Sequence, residues 1–356
     1  MSKEPVELSI VIITRNEEGM IGDSITSAIN GAEFALKKGV IKSYEIIHAD
    51  SASTDRTVEI AGKYPVKIIQ LKPDWPLSAA AGLYTGYKHA RGKYFMPLGG
   101  DMVLKKSWIV NAVSELVKDE RLGAVTGFEE EHLAGDGYFQ DAIRETLDKE
   151  LKAGYVDQAG IAVFRMSVLK KVGGYNPYLK GGEDKDISYR IISAGYRILM
   201  LSETSIVHHW AKKSGEIKFV NMLRSAMVWS IGDGQSTRYG LYGRDLIKRQ
   251  KKAYFRARQV FTMVIATGLL AIPGANIAAL FMGMDFAIAV ALTDLIIIIA
   301  IIYFSKRYNW SRKVIFGTLS NIPYYLVRTV GFVRGYMMKA RDIESYPEDV
   351  KVMKKG

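Results

Sequence analysis

The sequence predicts an α/β fold with a parallel sheet, followed by membrane-associated helices. Short apolar runs rich in β-branched residues alternate with helical patterns over the first hundred residues. Such runs are typical of strands buried on both faces of a parallel sheet. Three of the runs end in polar turns. Much later in the chain lies one apolar stretch long enough for two membrane spans of about 20 residues each.

Four strands are predicted, at residues 8–13, 44–49, 66–71 and 94–98. Polar turns at residues 14–17, 50–55 and 99–101 end the first, second and fourth of these strands. Ligands of such sheets bind at the carboxyl ends of the strands. We therefore expect the three turns to share one cleft.

Composition excludes several classes of protein. The 356 residues include no cysteine, which excludes disulfide scaffolds, zinc–thiolate sites, iron–sulfur clusters and cysteine nucleophiles. The net charge is +12. Residues 1–210 carry 26 basic and 28 acidic side chains, whereas residues 211–356 carry 23 and 9. The excess basicity of the second part indicates nucleic acid or an anionic membrane surface.

The sequence beside the basic residues favours a membrane over nucleic acid. Residues 259–305 contain no lysine or arginine and are predicted to form two transmembrane helices. A buried hairpin of a soluble protein is the alternative. Both flanks of this stretch are basic, so the positive-inside rule places the first 258 residues in the cytoplasm of an integral membrane protein.

Basic segments on either side of the predicted hairpin complete the membrane part. Residues 215–258 have apolar side chains at helical spacing and are predicted to be amphipathic interfacial helices. Residues 306–356 are predicted to be a basic interfacial region. Within it, residues 314–338 contain Arg328 and Arg334, which favours an interfacial helix over a third span because charge at mid-bilayer is costly.

Four segments carry a family resemblance over residues 8–214. They are residues 8–17 (LSIVIITRNE), 46–57 (IIHADSASTDRT), 90–101 (ARGKYFMPLGGD) and 181–190 (GGEDKDISYR). In order and spacing they resemble the inverting nucleotide-sugar glycosyltransferases of family 2, which have the GT-A fold. With the C-terminal hairpin, the chain is similar to polyprenyl- or dolichyl-phosphate or lipid-linked-oligosaccharide glycosyltransferases. The resemblance implies a GT-A catalytic domain at residues 1–214.

The resemblance implies a nucleotide site at the predicted turns. Asp50 would accept the N–H of the base, with Thr14 and Glu17 around the base and ribose. A helix cap or turn carboxylate is the alternative for Asp50. The complete set of predicted nucleotide-binding residues is Thr14, Asn16, Glu17, Asp50, Ser51, Gly99 and Gly100.

A metal site is also implied, with one departure from the family. A divalent cation, Mg²⁺ or Mn²⁺, can offset the charge of a diphosphate leaving group. The family's D-x-D turn reads Gly99-Gly100-Asp101 here, so Asp101 alone remains as a carboxylate ligand. His208 and His209 are further candidates, and at most one can serve because neighbouring strand residues point opposite ways. A turn carboxylate and packed histidines are the alternatives.

The last motif carries the predicted catalytic residues. Inverting transfer needs a base that takes the proton of the acceptor hydroxyl. The resemblance makes Asp184 this base and Glu183 a neighbouring orienting or acceptor-binding group. Gly181 and Gly182 would let the acceptor approach closely. The alternative is an acidic helix start that interacts with the helix dipole.

Two other charged patterns have structural interpretations. Asp186 and Arg190 are four residues apart on the helix that follows Asp184, and they are predicted to form a structural pair. Residues 129–132 (EEEH) are predicted to be a solvated loop, with an acceptor or metal role as the alternative.

These features predict a membrane-anchored, inverting glycosyltransferase with a UDP- or GDP-sugar donor. Its acceptor would be a lipid-linked molecule, either a polyprenyl or dolichyl phosphate or a lipid-linked oligosaccharide. No nucleic-acid partner is expected, and a homodimer is left open. A non-catalytic membrane scaffold that retains the nucleotide-sugar fold is the alternative, because Gly99 replaces a carboxylate and Leu83 stands where the family often carries arginine.

Overall fold

The computed structural model describes residues 5–132, 153–209, 219–238 and 322–354. The chain divides into two compact units, one of residues 1–218 with 339–356 and the other of residues 219–338. The predicted hairpin at residues 259–305 lies outside the described residues. Among the helices that are described, none combines the length and apolar character that a bilayer crossing requires.

A mixed sheet forms the first unit. Its strands are β1 (Leu8–Thr14), β2 (Tyr44–Asp50), β3 (Lys67–Gln70), β4 (Tyr94–Gly99), β5 (Met102–Leu104), β6 (Leu122–His132), β7 (Gly154–Val156), β8 (Ala162–Arg165), β9 (Arg197–His209) and β10 (Lys351–Lys354). Their order in the sheet is β10-β3-β2-β1-β4-β8-β6-β9-β5, with β7 paired to β9. The central strands β3, β2, β1 and β4 run parallel, as the four apolar runs predict.

Helices cover both faces of this sheet, which explains why the central strands are apolar without alternation. Ile10 and Ile12 pack in a core beneath one helical layer, and Val11 packs in a second core on the opposite face. All three side chains are buried. The helices of this unit are α1 (Ile21–Lys37), α2 (Thr57–Ala61), α3 (Ala79–His89), α4 (Trp108–Lys118), α5 (Met166–Lys171) and α6 (Glu183–Ser193).

Strand register brings the three predicted turns to one edge. Thr14 at the end of β1 lies opposite Asp50 at the end of β2. On its other side, Ile13 lies opposite Gly99 at the end of β4. Because the three strands are parallel and end at the same level, the turns that follow them are neighbours, as the sequence predicts.

The acidic stretch at residues 129–132 differs from its predicted structure. We expected a solvated loop, but these residues continue β6 and pair with β9. Glu129 Oε1 accepts the backbone N–H of Ile161 at 2.8 Å, and Glu130 forms a 3.2 Å ion pair with Lys105. Pairing with β9 thus supplies hydrogen bonds to the backbone of a segment whose side chains alone predict a solvent-exposed loop.

The C-terminal residues also differ from their predicted place. Residues 339–356, predicted as part of a basic interfacial region, belong to the first unit. A 3₁₀ turn at Ile343–Ser345 precedes β10, which pairs antiparallel with β3. Tyr346 between them is 2% exposed. Strand pairing and one buried aromatic ring therefore hold a segment whose charge pattern predicts an interfacial region.

The described part of the second unit is a pair of closely packed helices, α7 (Phe219–Arg238) and α8 (Ile322–Met337). Arg328 donates to Asp233 Oδ2 and to Ser230 Oγ, each at 3.1 Å. A Cβ on Gly335 would overlap the backbone of Ile231. The charge of Arg328 is thus paired within this unit, and small residues allow the two backbones to approach.

Candidate active site

Backbone and side-chain hydrogen bonds join the first two turns. Asn16 N donates to Ser53 Oγ at 2.9 Å, and Asn16 Oδ1 accepts Thr54 N at the same distance. Glu17 N donates to Thr57 Oγ1 at 2.7 Å. Asn16 has a φ of +58°, in the left-handed region that asparagine tolerates better than most residues. The predicted residues of both turns therefore form one continuous surface.

The carboxylate of Asp50 is fully engaged within the protein. It is buried and accepts four hydrogen bonds. Oδ1 accepts the hydroxyls of Thr14 (3.0 Å) and Ser53, and Oδ2 accepts Ser53 N (2.9 Å) and Gln70 Nε2 (3.0 Å). A base N–H would have to displace one of these donors. The geometry therefore supports the turn-carboxylate alternative over the predicted base contact.

A buried histidine lies behind this carboxylate. His48 is fully buried on β2, and its Nε2 is 2.7 Å from Thr14 Oγ1. Since the hydroxyl of Thr14 donates to Asp50, Nε2 of His48 must carry the hydrogen that Thr14 accepts. His48 Nδ1 has no hydrogen-bond partner among the described residues. Burial lowers the pKa of His48 to about 4, against a smaller opposing effect of Asp50.

The third turn is packed too tightly for larger side chains. Gly100 N donates to Ile13 O at 3.0 Å, and a Cβ on Gly100 would lie 2.5 Å from Thr14 Cγ2. A Cβ on Gly99 would lie 2.7 Å from Asp101 Oδ1. The family's first carboxylate is therefore incompatible with the present position of the Asp101 side chain.

Asp101 instead lies beside His208. His208 Nε2 is 3.4 Å from Asp101 Oδ2, because β5 and β9 pair with Met102 opposite His208. The next residue, His209, donates its backbone N–H to Asp101 O at 3.0 Å. Of the two predicted histidines, the structure places the side chain of His208 next to Asp101.

This pair can hold part of a cation's coordination sphere. The described residues contain no cluster of three or more His, Asp or Glu side chains that could bind a metal. One carboxylate and one imidazole would leave several positions for diphosphate oxygens and water. A mixed oxygen and nitrogen set fits Mn²⁺ better than Mg²⁺, which takes oxygen ligands.

The predicted catalytic carboxylates begin α6. Gly182 precedes this helix with a φ of +74°, which only glycine adopts without strain. Gln158 Nε2 donates to Asp184 Oδ2 at 2.7 Å. Burial and the adjacent Asp184 carboxylate raise the pKa of Glu183 to about 7. Glu183 can therefore change charge close to neutral pH.

The structure brings α6 to the same sheet edge as the three turns. Because β8 is antiparallel to β4, residues 158–161 before β8 lie towards the carboxyl end of β4. Within this loop, Gln158 holds Asp184, and Ala159 N donates to Ser188 Oγ of α6 at 3.0 Å. The sequence analysis missed Gln158, because a single glutamine in the loop between β7 and β8 carries no spacing signal.

One predicted pair on α6 is purely structural. Asp186 is 1% exposed, and its Oδ2 accepts Arg190 Nε at 3.2 Å and NH2 at 2.5 Å. This confirms the i,i+4 pair expected from the spacing. Arg190 also donates to the carbonyl of Val172, which fixes α6 against the end of α5.

Comparison with known proteins agrees with this architecture. Residues 9–173 match the family model described as Glycosyl transferase family 2. The match covers a little under half of the chain, and over these residues the chain is similar to that family. The mannosyltransferase PcManGT of Pyrobaculum calidifontis, solved with GDP-Man and Mn²⁺, shares the fold at a TM-score of 0.56 and 17% identity. The alignment covers 92% of this chain and 87% of that one.

Two curated relatives are also glycosyltransferases. The O-antigen chain rhamnosyltransferase WbaN of Salmonella anatum is 25% identical over 49% of this chain and 59% of its own length. The dolichol-phosphate mannosyltransferase of Pyrococcus furiosus is 33% identical over 27% of this chain and 26% of its own. The chain therefore spans less than two thirds of the length of these relatives. The domain and the relatives together support a transferase.

The buried neutral imidazole predicts a pH-dependent stability. The pKa of His48 is about 4 when folded and near 6.5 when unfolded, so the unfolded state gains a proton first as the pH falls. The stabilisation that comes from keeping His48 neutral is present above pH 6.5 and is lost towards pH 4. Between pH 7.5 and 5, the free energy of unfolding should fall by roughly 2 kcal/mol. Urea unfolding of wild type and His48→Gln at both pH values measures this loss. The glutamine variant should lose less, and an equal loss in both proteins would contradict the assignment.

The position of His208 predicts which histidine affects metal binding. Electron paramagnetic resonance can titrate Mn²⁺ binding in the presence of UDP or GDP. We expect His208→Ala to weaken binding about tenfold or more, as loss of a ligand or its neighbour commonly does. His209→Ala should bind Mn²⁺ like the wild type. A larger loss in His209→Ala would contradict this geometry.

Proposed function

We propose that the chain is a membrane-anchored, inverting glycosyltransferase. The domain would take a sugar from a UDP- or GDP-sugar and transfer it to a lipid-linked acceptor at the cytoplasmic face. The observation that carries this proposal is the convergence of the Asp101–His208 pair and the Glu183–Asp184 pair on one edge of the sheet. A site for leaving-group charge and a site for proton removal are the two requirements of the reaction.

The donor would lie along the three turns. Thr14, Asn16, Glu17 and Ser51 would line the nucleotide site, while Asp50 would hold the turn rather than contact the base. Ser51 lies under the first turns of α3, since a Cβ on Gly82 would be 3.5 Å from Ser51 Oγ. Gly99 and Gly100 carry no side chain and would let the donor approach the third turn closely.

The proposed chemistry is a single displacement with inversion. The acceptor oxygen attacks the anomeric carbon, a new glycosidic bond forms, and the bond from the sugar to the diphosphate breaks. When the acceptor is a glycan hydroxyl, Asp184 accepts its proton, with Gln158 fixing one of the Asp184 oxygens. A lipid phosphate is already ionised, and its oxygen attacks without losing a proton. A bound Mn²⁺ or Mg²⁺ would supply positive charge that offsets the charge of the leaving diphosphate. Asp101 and His208 would hold that cation.

The acceptor and the membrane association rest on the sequence and on the relatives. The relatives include a dolichol-phosphate mannosyltransferase and an O-antigen chain rhamnosyltransferase. The apolar stretch at residues 259–305 and the basic segments that flank it support an anchor at an anionic leaflet. In the proposed arrangement, residues 1–214 form the catalytic domain and residues 259–305 form the hairpin. Interfacial helices lie within residues 215–258 and 306–338.

A non-catalytic scaffold is the competing proposal. Gly99 in place of a carboxylate favours it, because a scaffold needs no metal. The positions of Asp101, Asp184 and Gln158 favour catalysis, because they set a candidate metal ligand and a candidate base at the sheet edge where the three turns meet. The two proposals differ in whether any sugar is transferred.

The transferase proposal predicts the effect of removing the base. Membranes with the full chain are given radiolabelled UDP-glucose, UDP-N-acetylglucosamine or GDP-mannose, with Mn²⁺ or EDTA. We expect organic-extractable label with one donor. With a hydroxyl acceptor, Asp184→Asn should lower the transfer rate by about 10²–10⁴-fold, because asparagine cannot accept the proton. Lability of the product to mild acid or alkali then separates a phosphate-linked sugar from an extended oligosaccharide.

The control variant is Glu59→Gln, which neutralises a carboxylate that is 62% exposed on α2. It should transfer sugar at the wild-type rate. Transfer by Asp184→Asn at the wild-type rate would contradict its role as base. No transfer with any donor, together with no shift in melting temperature on adding them, would favour the scaffold.

A further inference from the structure

The segment at residues 341–354 returns to the edge of the sheet next to the candidate site. β10 pairs with β3, with Lys351 opposite Gln70 and Val352 opposite Ile69. Gln70 is the residue whose side chain donates to Asp50. Lys354 Nζ donates to the carbonyls of Gly62 (2.9 Å) and Tyr64 (2.6 Å). The segment is thus fastened along the strand that leads into residues 72–78.

Tyr346 is the buried residue of this segment. Its ring makes edge contacts with Trp75, Tyr84 and Tyr178, at centroid distances of 5.7, 5.6 and 5.5 Å. Its hydroxyl donates to Pro76 O at 2.9 Å. The three rings come from three parts of the chain, namely the loop at residues 72–78, α3 and the loop at residues 175–182. One side chain therefore joins all three.

Two ion pairs of the segment contribute less to stability than the contacts of Tyr346. Lys72–Asp349 and Lys88–Glu348 are ion pairs of 2.6 and 2.8 Å between exposed side chains. Such pairs typically contribute less than about 1 kcal/mol each. Burial of an aromatic ring contributes more free energy than such an ion pair does, and edge-to-face ring pairs add about 0.5–1.5 kcal/mol beyond that burial.

The segment also reaches Tyr178 through Ser345 Oγ, 2.9 Å from the Tyr178 hydroxyl, and through the Arg341 guanidinium, 5.3 Å from the centre of the Tyr178 ring. Of these residues, Tyr346 is the one that contacts both loops.

The two loops also meet through long hydrogen bonds. Ser78 Oγ donates to Pro177 O at 3.4 Å, and Lys180 Nζ donates to Leu77 O at 3.4 Å. The loop at residues 175–182 ends at Gly182, where the left-handed backbone starts α6 and sets the position of Asp184. Because Tyr178 lies four residues before Gly182, the packing of its ring limits how far the start of α6 can move.

We propose that Tyr346 is a positioning residue for the acceptor side of the site. It holds the loop at residues 175–182 against the loop at residues 72–78, and thereby fixes the carboxylates at the start of α6. This inference rests on the proposed function for its catalytic consequence. The loop contact itself is independent of that function. Small displacements of catalytic groups cost large factors in rate, so a loosened loop should slow transfer.

The test compares Tyr346→Ala with Tyr346→Phe in the full chain. Limited trypsin digestion under native conditions measures access to the Lys180–Gly181 bond, and transfer assays measure kcat and the KM for the donor. We expect Tyr346→Ala to raise cleavage after Lys180 at least fivefold and to lower kcat at least tenfold, with the donor KM changed less than threefold. Tyr346→Phe keeps the ring contacts and should resemble the wild type in both.

Two controls separate loop loosening from general unfolding. Val352→Ala alters an exposed residue of β10 and should leave both readouts unchanged. Cleavage after Arg121, in the exposed turn between α4 and β6, should be the same in all variants. If Tyr346→Ala does not fold, Tyr346→Leu, which fills the site without an aromatic ring, takes its place.

Several results would overturn the proposal. They are unchanged cleavage after Lys180, an equal rise after Lys180 and Arg121, or an unchanged kcat despite faster cleavage. If the wild type transfers no sugar from any donor, the proposed function fails while the cleavage data still decide whether Tyr346 holds the loop.

Discussion

The parallel register of β1 with β2 and β4 is the constraint on which the candidate site depends. It sets Thr14 beside Asp50 and Ile13 beside Gly99, so three turns that are distant in sequence meet at one edge. A slip of one residue would turn the side chains of a strand to the opposite face. Burial of the central strands on both faces prevents this slip, because Ile10, Ile12 and Val11 fill two separate cores.

Buried polar groups then fix the turns in place. Asp50 accepts four hydrogen bonds, and His48 supports the donor Thr14 from behind. Each bond is modest in net free energy, but leaving one of these buried groups without a partner would cost about 1–3 kcal/mol. The turns are therefore preorganised, and a nucleotide sugar would bind to a surface that already has its shape. Preorganisation of this kind is the main source of electrostatic catalysis in enzymes.

Local patterns were enough to predict the four parallel strands of the sheet, the three polar turns and the Asp186–Arg190 pair. They failed where distant contacts decide the structure. The charges of residues 129–132 predict a loop, whereas these residues form a strand because β9 lies alongside them. Likewise, the basic composition of the C-terminal segment gave no indication that Tyr346 packs against Trp75 and Tyr178, which lie about 270 and 170 positions earlier in the chain. The base contact of Asp50 that the family motif implies stays a prediction, and in the structure Ser53 and Gln70 donate to the oxygens of Asp50.

The central claim is that the three turns form one nucleotide-sugar site. Hydrogen–deuterium exchange of the full chain, with UDP or GDP and Mn²⁺ present or absent, tests it most directly. The account predicts that one nucleotide slows exchange together at residues 14–17, 50–57 and 99–101. Protection confined to other surfaces, or no protection with either nucleotide, would contradict it.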